Sequence, residues 1–365
     1  MADFVSITCV DDFRELARSR LPVDVWDYVE GGSGDERTLT ANRRAFDGVA
    51  LRPRVLVDVS SCDPGTTLLG APVSLPIGVA PTAYHRLLHP EGELATARGA
   101  GQAGALYVVS MFATQPVEDI AEAATGPLWM QVYWLRRRDA VADVVRRAAA
   151  AGFRALVLTV DTPRVGRRLR DVRNAFALDE TVQAVNLAPE VMATAHRRRH
   201  GESALASHAA EAFDPTITWD DLGWLRGLTD LPLLLKGIVT AEDAARAVAC
   251  GVDGIVVSNH GGRQLDGAVP TLFALPEVVD AVDGACPVLL DGGVRTGTEV
   301  FAALALGARA VLVGRPVMWA LAADGSAGVA EVLRLLHDEL VLAMALAGRP
   351  TLAEINRSAV FTPGR

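Results

Sequence analysis

Cysteine is scarce in this chain and scattered: four among 365 residues, at Cys9, Cys62, Cys250 and Cys286. Without CxxC spacing they indicate neither a disulfide framework nor a zinc site. No run of 18 or more apolar residues occurs, so the sequence offers no membrane-spanning helix and no membrane partner is expected. Basic charge is also short. Lys and Arg number 35 against 44 Asp and Glu, a net charge of −9, which argues against nucleic acid as a partner. The one basic cluster, His196-Arg-Arg-Arg-His200, lies in a long polar segment and reads as solvated surface. The start, Met1-Ala-Asp-Phe-Val-Ser, lacks the charged and apolar regions of a signal peptide, so a cytoplasmic location is the expectation. Lysine is reduced to one residue, Lys236.

Half of the residues are hydrophobic, enough for one large domain or two ordinary ones. From about residue 75, short apolar runs alternate with helix-like stretches. Eight runs read as strands: Leu75–Ala80, Ala105–Ser110, Leu128–Tyr133, Ala155–Val160, Leu231–Lys236, Gly254–Ser258, Cys286–Leu290 and Ala310–Gly314. They are nearly continuous in Val, Leu, Ile and Ala, as strands buried on both faces should be. Glu91–Gly101, Asp139–Ala151, Thr240–Ala249 and Thr296–Leu306 read as helices between them. Thr240 and Thr296, each with an acid in the following turn, look like helix starts. Eight βα units predict a closed (β/α)₈ barrel. A doubly wound sheet would want a glycine-rich dinucleotide turn after the first strand, and Pro81-Thr-Ala-Tyr-His is not one.

Two segments fall outside the repeat. Residues 1–70, with short helices at Asp11–Ser19 and Pro22–Glu30, should form a helical cap. Residues 167–225 are far longer than one crossover requires and read as a lid or insertion, with poor order expected around 190–212. The expected layout is one domain over 1–365: cap 1–70, barrel 71–350 and C-terminal tail 351–365.

Barrels of this type place their chemistry where the strands end. Those ends carry Pro81-Thr82-Ala83, Ser110, Gln131 with Tyr133, Thr159 with Asp161, Lys236, Ser258 with His260 and Arg263, Asp291-Gly292-Gly293-Val-Arg295 and Gly314-Arg315. Ser258-Asn-His-Gly-Gly-Arg-Gln-Leu-Asp-Gly267 is the most informative of these. Its histidine can take a proton near neutral pH, and its arginine can clamp a carboxylate in bidentate fashion. Alone, the stretch could be a polar loop with a hydrogen-bonded histidine. The last two strand ends each join glycine N–H groups to an arginine, a combination that cradles phosphate. Together with Lys236 they suggest a phosphorylated cofactor across the barrel mouth.

These motifs resemble the FMN-dependent α-hydroxy-acid oxidases and dehydrogenases, the family of glycolate oxidase, lactate oxidase and mandelate dehydrogenase. The likeness spans about residues 5–360. It includes Trp26-Asp-Tyr28, Arg52-Pro-Arg54, His89-Pro-Glu-Gly-Glu93, Gln131-Val-Tyr133, Leu158-Thr-Val-Asp-Thr-Pro163, Gly166-Arg-Arg168, Leu235-Lys-Gly237 and the stretch from Ser258 to Asp266. Within the family, Ala83–Gly92 and Gly314–Ala322 look most like 4-hydroxymandelate oxidases of antibiotic pathways.

The resemblance implies a residue-by-residue assignment. His260 would be the base, paired with Asp161. Arg168, Arg263 and Tyr28 would bind the substrate carboxylate, and Tyr133 the substrate oxygen. Pro81, Thr82, Ala83, Ser110, Gln131, Thr159, Lys236 and Ser258 would hold the flavin ring and ribityl chain. Asp291, Gly292, Gly293, Arg295, Gly314 and Arg315 would hold the ribityl chain and phosphate. Ala83, by resemblance, goes with oxidases that use O₂ and release peroxide, and a homo-oligomer (tetramer or octamer) is implied. Tyr84, Phe112 and Val165 are candidates for the wall around the substrate side chain. An aromatic 2-hydroxy acid is the first expectation. Tyr28 stands where the 4-hydroxymandelate oxidases have phenylalanine, so a small aliphatic hydroxy acid is the alternative. A dehydrogenase passing electrons to a quinone or a protein, and a non-redox flavin barrel, are the competing classes.

Overall fold

The structure, a computed structural model, describes residues 7–179, 181–192 and 203–362. Eight parallel strands close into a barrel in chain order. The first four are Ile77–Val79, Tyr107–Ser110, Leu128–Val132 and Leu156–Thr159. The last four are Leu233–Ile238, Gly254–Val257, Val288–Asp291 and Ala310–Val313. Closure falls between the eighth and first strands, where Val311 pairs with Ile77 and Val313 with Val79. All eight coincide with the apolar runs of the sequence.

Alternation sets the two faces. Leu106, Val108, Trp129, Val157, Leu234, Val256, Leu289 and Leu312 form one buried cluster inside the barrel. Their chain neighbours, such as Tyr107, Val109, Met130 and Leu158, belong to the cluster under the helices. This period of two buries both faces and explains why the runs look continuous. A hairpin of Thr66–Leu68 and Ala71–Val73 adds Leu68 and Val73 to the interior cluster. It thereby covers the end where the strands begin and leaves the other end for the site.

Glu93–Gln102, Arg138–Ala150, Ala241–Ala249 and Gly297–Ala305 are helices between strands. Thr240 accepts from the Asp243 amide, and Thr296 forms a capping box with Glu299, so both begin where the cap chemistry indicates. The final helix, Arg315–Leu346, leaves helical geometry at Asp324 and Gly325.

Three helices precede the barrel: Val10–Arg20, Val23–Glu30 and Arg37–Asp47. The third carries polar Thr38 and Asn42 on its buried face, so apolar periodicity does not mark it. Residues 50–70 are not helical. Ala50–Leu51 pairs with Val360–Phe361 and ties the C-terminal tail back to the cap.

Two parts of the 190–212 stretch are described. Pro189–Met192 and Ala204–Ala212 are helical. Ser203 caps the second by accepting from the Ala206 amide, and Ala204 and Ala209 are buried. Alanine favours helix and lets the helix lie close to its neighbours. Residues 193–202, with the basic cluster, lie outside the described residues. Among the described residues no helix is long and apolar enough to cross a membrane.

Candidate active site

The strand C-termini open into a cleft. Tyr28, Tyr133, Arg168, His260 and Arg263 line it. So do Pro81, Thr82, Ala83, Ser110 and Lys236, and, from the seventh and eighth strand ends, Asp291, Gly292, Gly293, Arg295, Gly314 and Arg315. Gln131, Thr159 and Ser258 are buried behind this lining. Asp161 reaches the cleft through His260.

His260 Nδ1 donates to Asp161 Oδ1 at 2.8 Å, and the Thr162 hydroxyl donates to the same oxygen at 2.9 Å. That bond fixes the tautomer: the proton sits on Nδ1 and the lone pair on Nε2, which lies 3.5 Å from the Tyr133 hydroxyl. Burial pushes the His260 pKa below its ordinary value despite the Asp161 charge, and Lys236 and Arg168 push the same way. Asp161 moves oppositely to a typical buried acid. Burial raises it, but His260 and Lys236 outweigh that and hold its carboxyl below the usual value. A neutral imidazole on a fixed carboxylate is a base prepared for protonation. His260 itself has φ +60°, a conformation uncommon for a non-glycine residue. Ser258 Oγ accepts from its amide at 3.0 Å.

Several neighbours hold this pair in place. Gln264 Nε2 donates to the carbonyls of Asp161 and Arg164 at 2.8 and 2.9 Å, and Oε1 accepts from Gly166 N. One buried amide thus staples the loop after the fourth strand to the loop after the sixth. Asn42 and Asn259 exchange reciprocal amide hydrogen bonds of 2.8 Å, and Asn259 Oδ1 also accepts from Gly262 N. The fifth strand carries a register shift between Lys236 and Ile238. Gly237 there has φ +116°, and a Cβ on it would lie 2.6 Å from that of Asp161, so only glycine admits the close approach. Sequence reasoning missed Gln264 and Asn42 as positioning residues. Gln264 stands inside the most informative stretch, whereas Asn42 has no sequence signal.

The cleft is rich in unpaired positive charge. Arg263 donates only to main-chain carbonyls, to Gly31 O at 2.7 Å, and lies over the Tyr28 ring at 5.3 Å. Arg315 donates to the carbonyls of Val29, Glu30, Gly31 and Gly261. Arg295 donates to Val294 O and lies over Trp319. The Arg168 Nε has no partner. Burial first, and the neighbouring arginines second, push Arg263 down to about 9 and Arg315 and Arg295 down to about 10. Cations left this way await anions. Asp171, buried beside Arg168 and Arg263, has both oxygens unpartnered, and burial pushes its carboxyl up despite those arginines.

A flavin mononucleotide fits this chemistry. Gly293 has φ +99°, and a Cβ there would meet Asn42 O at 2.5 Å. The loop therefore packs directly on the helix Arg37–Asp47, while Gly292 and Gly293 line the cleft, where glycine N–H groups suit a phosphate. Lys236 Nζ is 3.1 Å from Asp291 Oδ2 and 2.9 Å from Ser258 Oγ. Burial lowers its pKa, but Asp291 and Asp161 prevail and keep it above the ordinary value, so it is a fixed ammonium. Gln131 donates to Thr159 Oγ1 at 3.0 Å while its Oε1 has no partner, leaving an acceptor for a ring N–H.

The candidate wall residues divide. Tyr84 lines the cleft. Phe112 stands behind it, packed on Tyr84, Tyr133 and Phe213 at centroid distances of 6.0, 5.6 and 6.0 Å. Val165 lines an adjoining cavity instead, because its loop turns toward the helix Ala204–Ala212. Phe213, unnoticed in the sequence, stacks on Tyr133 at 4.8 Å.

Known proteins agree with this geometry. The model of FMN-dependent dehydrogenases matches residues 17–362. A peroxisomal (S)-2-hydroxyacid oxidase of Arabidopsis thaliana is 48% identical over 356 residues, covering 98% of this chain and 97% of that protein. Glycolate oxidase of Spinacia oleracea is 48% identical over 354 residues, covering 97% of this chain and 95% of that one. Among solved structures, a mandelate oxidase with (S)-4-hydroxymandelic acid is 50% identical with a TM-score of 0.92, covering 96% of this chain and 97% of that one. The cleft, its unpaired arginines and these likenesses over nearly the whole length make one statement: the chain belongs to the FMN-dependent dehydrogenase family.

Proposed function

We propose that this flavoenzyme oxidises aromatic (S)-2-hydroxy acids to 2-oxo acids and passes the electrons to O₂: R–CH(OH)–COO⁻ + O₂ gives R–CO–COO⁻ + H₂O₂. Arg168 and Arg263 hold the carboxylate, with the Tyr28 hydroxyl as a further donor. Tyr133 hydrogen-bonds the substrate oxygen. His260 Nε2 takes a proton from the substrate, and Asp161 stabilises the resulting imidazolium across the 2.8 Å bond. FMN, when bound, supplies the two-electron acceptor. Lys236 holds a fixed positive charge in the cleft, suited to a ring that gains negative charge. Gln131, Thr159, Ser110 and Ser258 offer the polar rim, and the glycines with Arg295 and Arg315 the phosphate site.

The observation that carries the aromatic reading is the ring cluster beside the catalytic pair. Tyr84 and Tyr133 line the cleft, backed by Phe112 and Phe213 at centroid distances of 4.8 to 6.0 Å, an aromatic surface suited to an aryl group. The mandelate oxidase solved with (S)-4-hydroxymandelic acid supports it. The glycolate oxidases among the relatives favour a second reading, a small aliphatic hydroxy acid. Peroxide-coupled assays with (S)-4-hydroxymandelate, (S)-mandelate, glycolate and L-lactate separate the two. The proposal requires kcat/KM for the aryl acids to exceed that for glycolate, and the reverse order refutes it.

A further inference from the structure

Beside the cleft lies a second open cavity of about 1470 Å³, which the proposed chemistry leaves unused. Its floor is Arg168 and Phe213, the two residues that join it to the active site. Arg168 lines both cavities, and Phe213 stacks on Tyr133. Three more arginines line it: Arg136 before the helix Arg138–Ala150, and Arg164 and Arg167 on the loop that carries Asp161. None of the three has a carboxylate partner among the described residues, and all are exposed. The nearby Asp214 is occupied by Arg138 at 2.6 Å. The facing wall is apolar and small: Ala206, Ala209 and Ala210.

We propose that this cavity is the entry vestibule of the enzyme, in which Arg136, Arg164 and Arg167 collect carboxylate-bearing substrate and pass it to Arg168. A chain of net charge −9 repels anions at long range, so an anionic substrate needs a local positive field at its point of entry. The geometry supplies a row: three solvated guanidinium groups, then the half-buried Arg168 with an unpaired Nε, which lines both cavities, then the half-buried Arg263, which lines the cleft. Each step inward lowers the local dielectric and strengthens the attraction to a carboxylate. Alanines opposite the arginines leave room for the apolar body of the acid to slide past. The inference rests on the carboxylate common to all 2-hydroxy acids, so it survives if the aromatic preference fails.

The test uses the FMN-loaded protein, anaerobic rapid mixing, and whichever of the four acids reduces the flavin fastest. Arg136→Gln, Arg164→Gln, Arg167→Gln and the triple variant are compared across ionic strength. The second-order rate constant for substrate capture, read from the initial slope of the reduction rate against substrate concentration, should fall about two- to threefold per charge removed at low salt and converge with the parent in high salt. The limiting reduction rate and FMN content should stay unchanged, Lys at the same positions should restore the capture rate, and capture of the neutral amide of the same acid should not change. A triple variant with the parental capture rate at low salt overturns the vestibule. So does a change in capture rate that is independent of salt or shared by the neutral amide. A fall in limiting rate or FMN content also overturns it, by making these arginines supports of the scaffold.

Discussion

His260 and Asp161 derive their character from burial as much as from each other. The imidazole is held below its ordinary pKa of 6.5, so at neutral pH it is already free to accept a proton. Activity should therefore be flat across neutral pH, with kcat/KM falling on the acid side only once the solution drops below the ordinary histidine range. A pH–rate profile with its acid limb above pH 7 would contradict this. The same shift has a consequence for stability. Between the lowered folded value and the ordinary unfolded one, the unfolded chain binds the extra proton, so stability is lost as pH falls through that window. Asp161→Asn leaves the imidazolium without its counter-charge. It should lower the rate of flavin reduction by about 10²- to 10⁴-fold, while FMN content stays at the parental level. Both residues were legible from the sequence because they stand just past strand ends, where few side chains have a packing reason to be ionisable.

The strands were readable as elements because burial on both faces leaves no room for polar residues. The loops were readable only in part. Val165 faces the adjoining cavity rather than the cleft, since no periodicity fixes the direction of a loop side chain. The helix Arg37–Asp47 was hidden because Thr38 and Asn42 dock it by hydrogen bonds rather than by apolar contact. Asn42→Leu should leave one N–H of the buried Asn259 amide without its acceptor, at a cost of about 1–3 kcal/mol, seen as a lower denaturant midpoint of the FMN-loaded protein. An unchanged midpoint would remove Asn42 from this role. Gly237→Ala, which drives a Cβ against Asp161, should lower kcat by about 10²-fold, the expected effect of a misplacement near 1 Å. Steady-state assays of protein with full FMN occupancy check it.

At the scale of the molecule, an acidic protein keeps a positive interior. Arg168, Arg263, Arg295 and Arg315 crowd one cleft with no carboxylate partner among the described residues, and anions must offset them. Protein stripped of FMN should therefore gain thermal stability with added inorganic phosphate, following the logarithm of its concentration. Arg295→Met should weaken that response, and a melting temperature indifferent to phosphate would refute the cradle. The barrel frame and the ionisable residues at its mouth could be read from the sequence, while Gln264, Asn42 and Phe213 became visible only when distant segments met. The proposal that His260, Asp161 and the arginine clamp present an aryl hydroxy acid to FMN, which would take the two electrons, is tested most directly by mixing the yellow protein with (S)-mandelate without oxygen and then admitting air. Rapid loss of the flavin absorbance is expected, followed by its rapid return with one peroxide per substrate oxidised. No bleaching by (S)-mandelate, with glycolate bleaching the flavin at once, would contradict it.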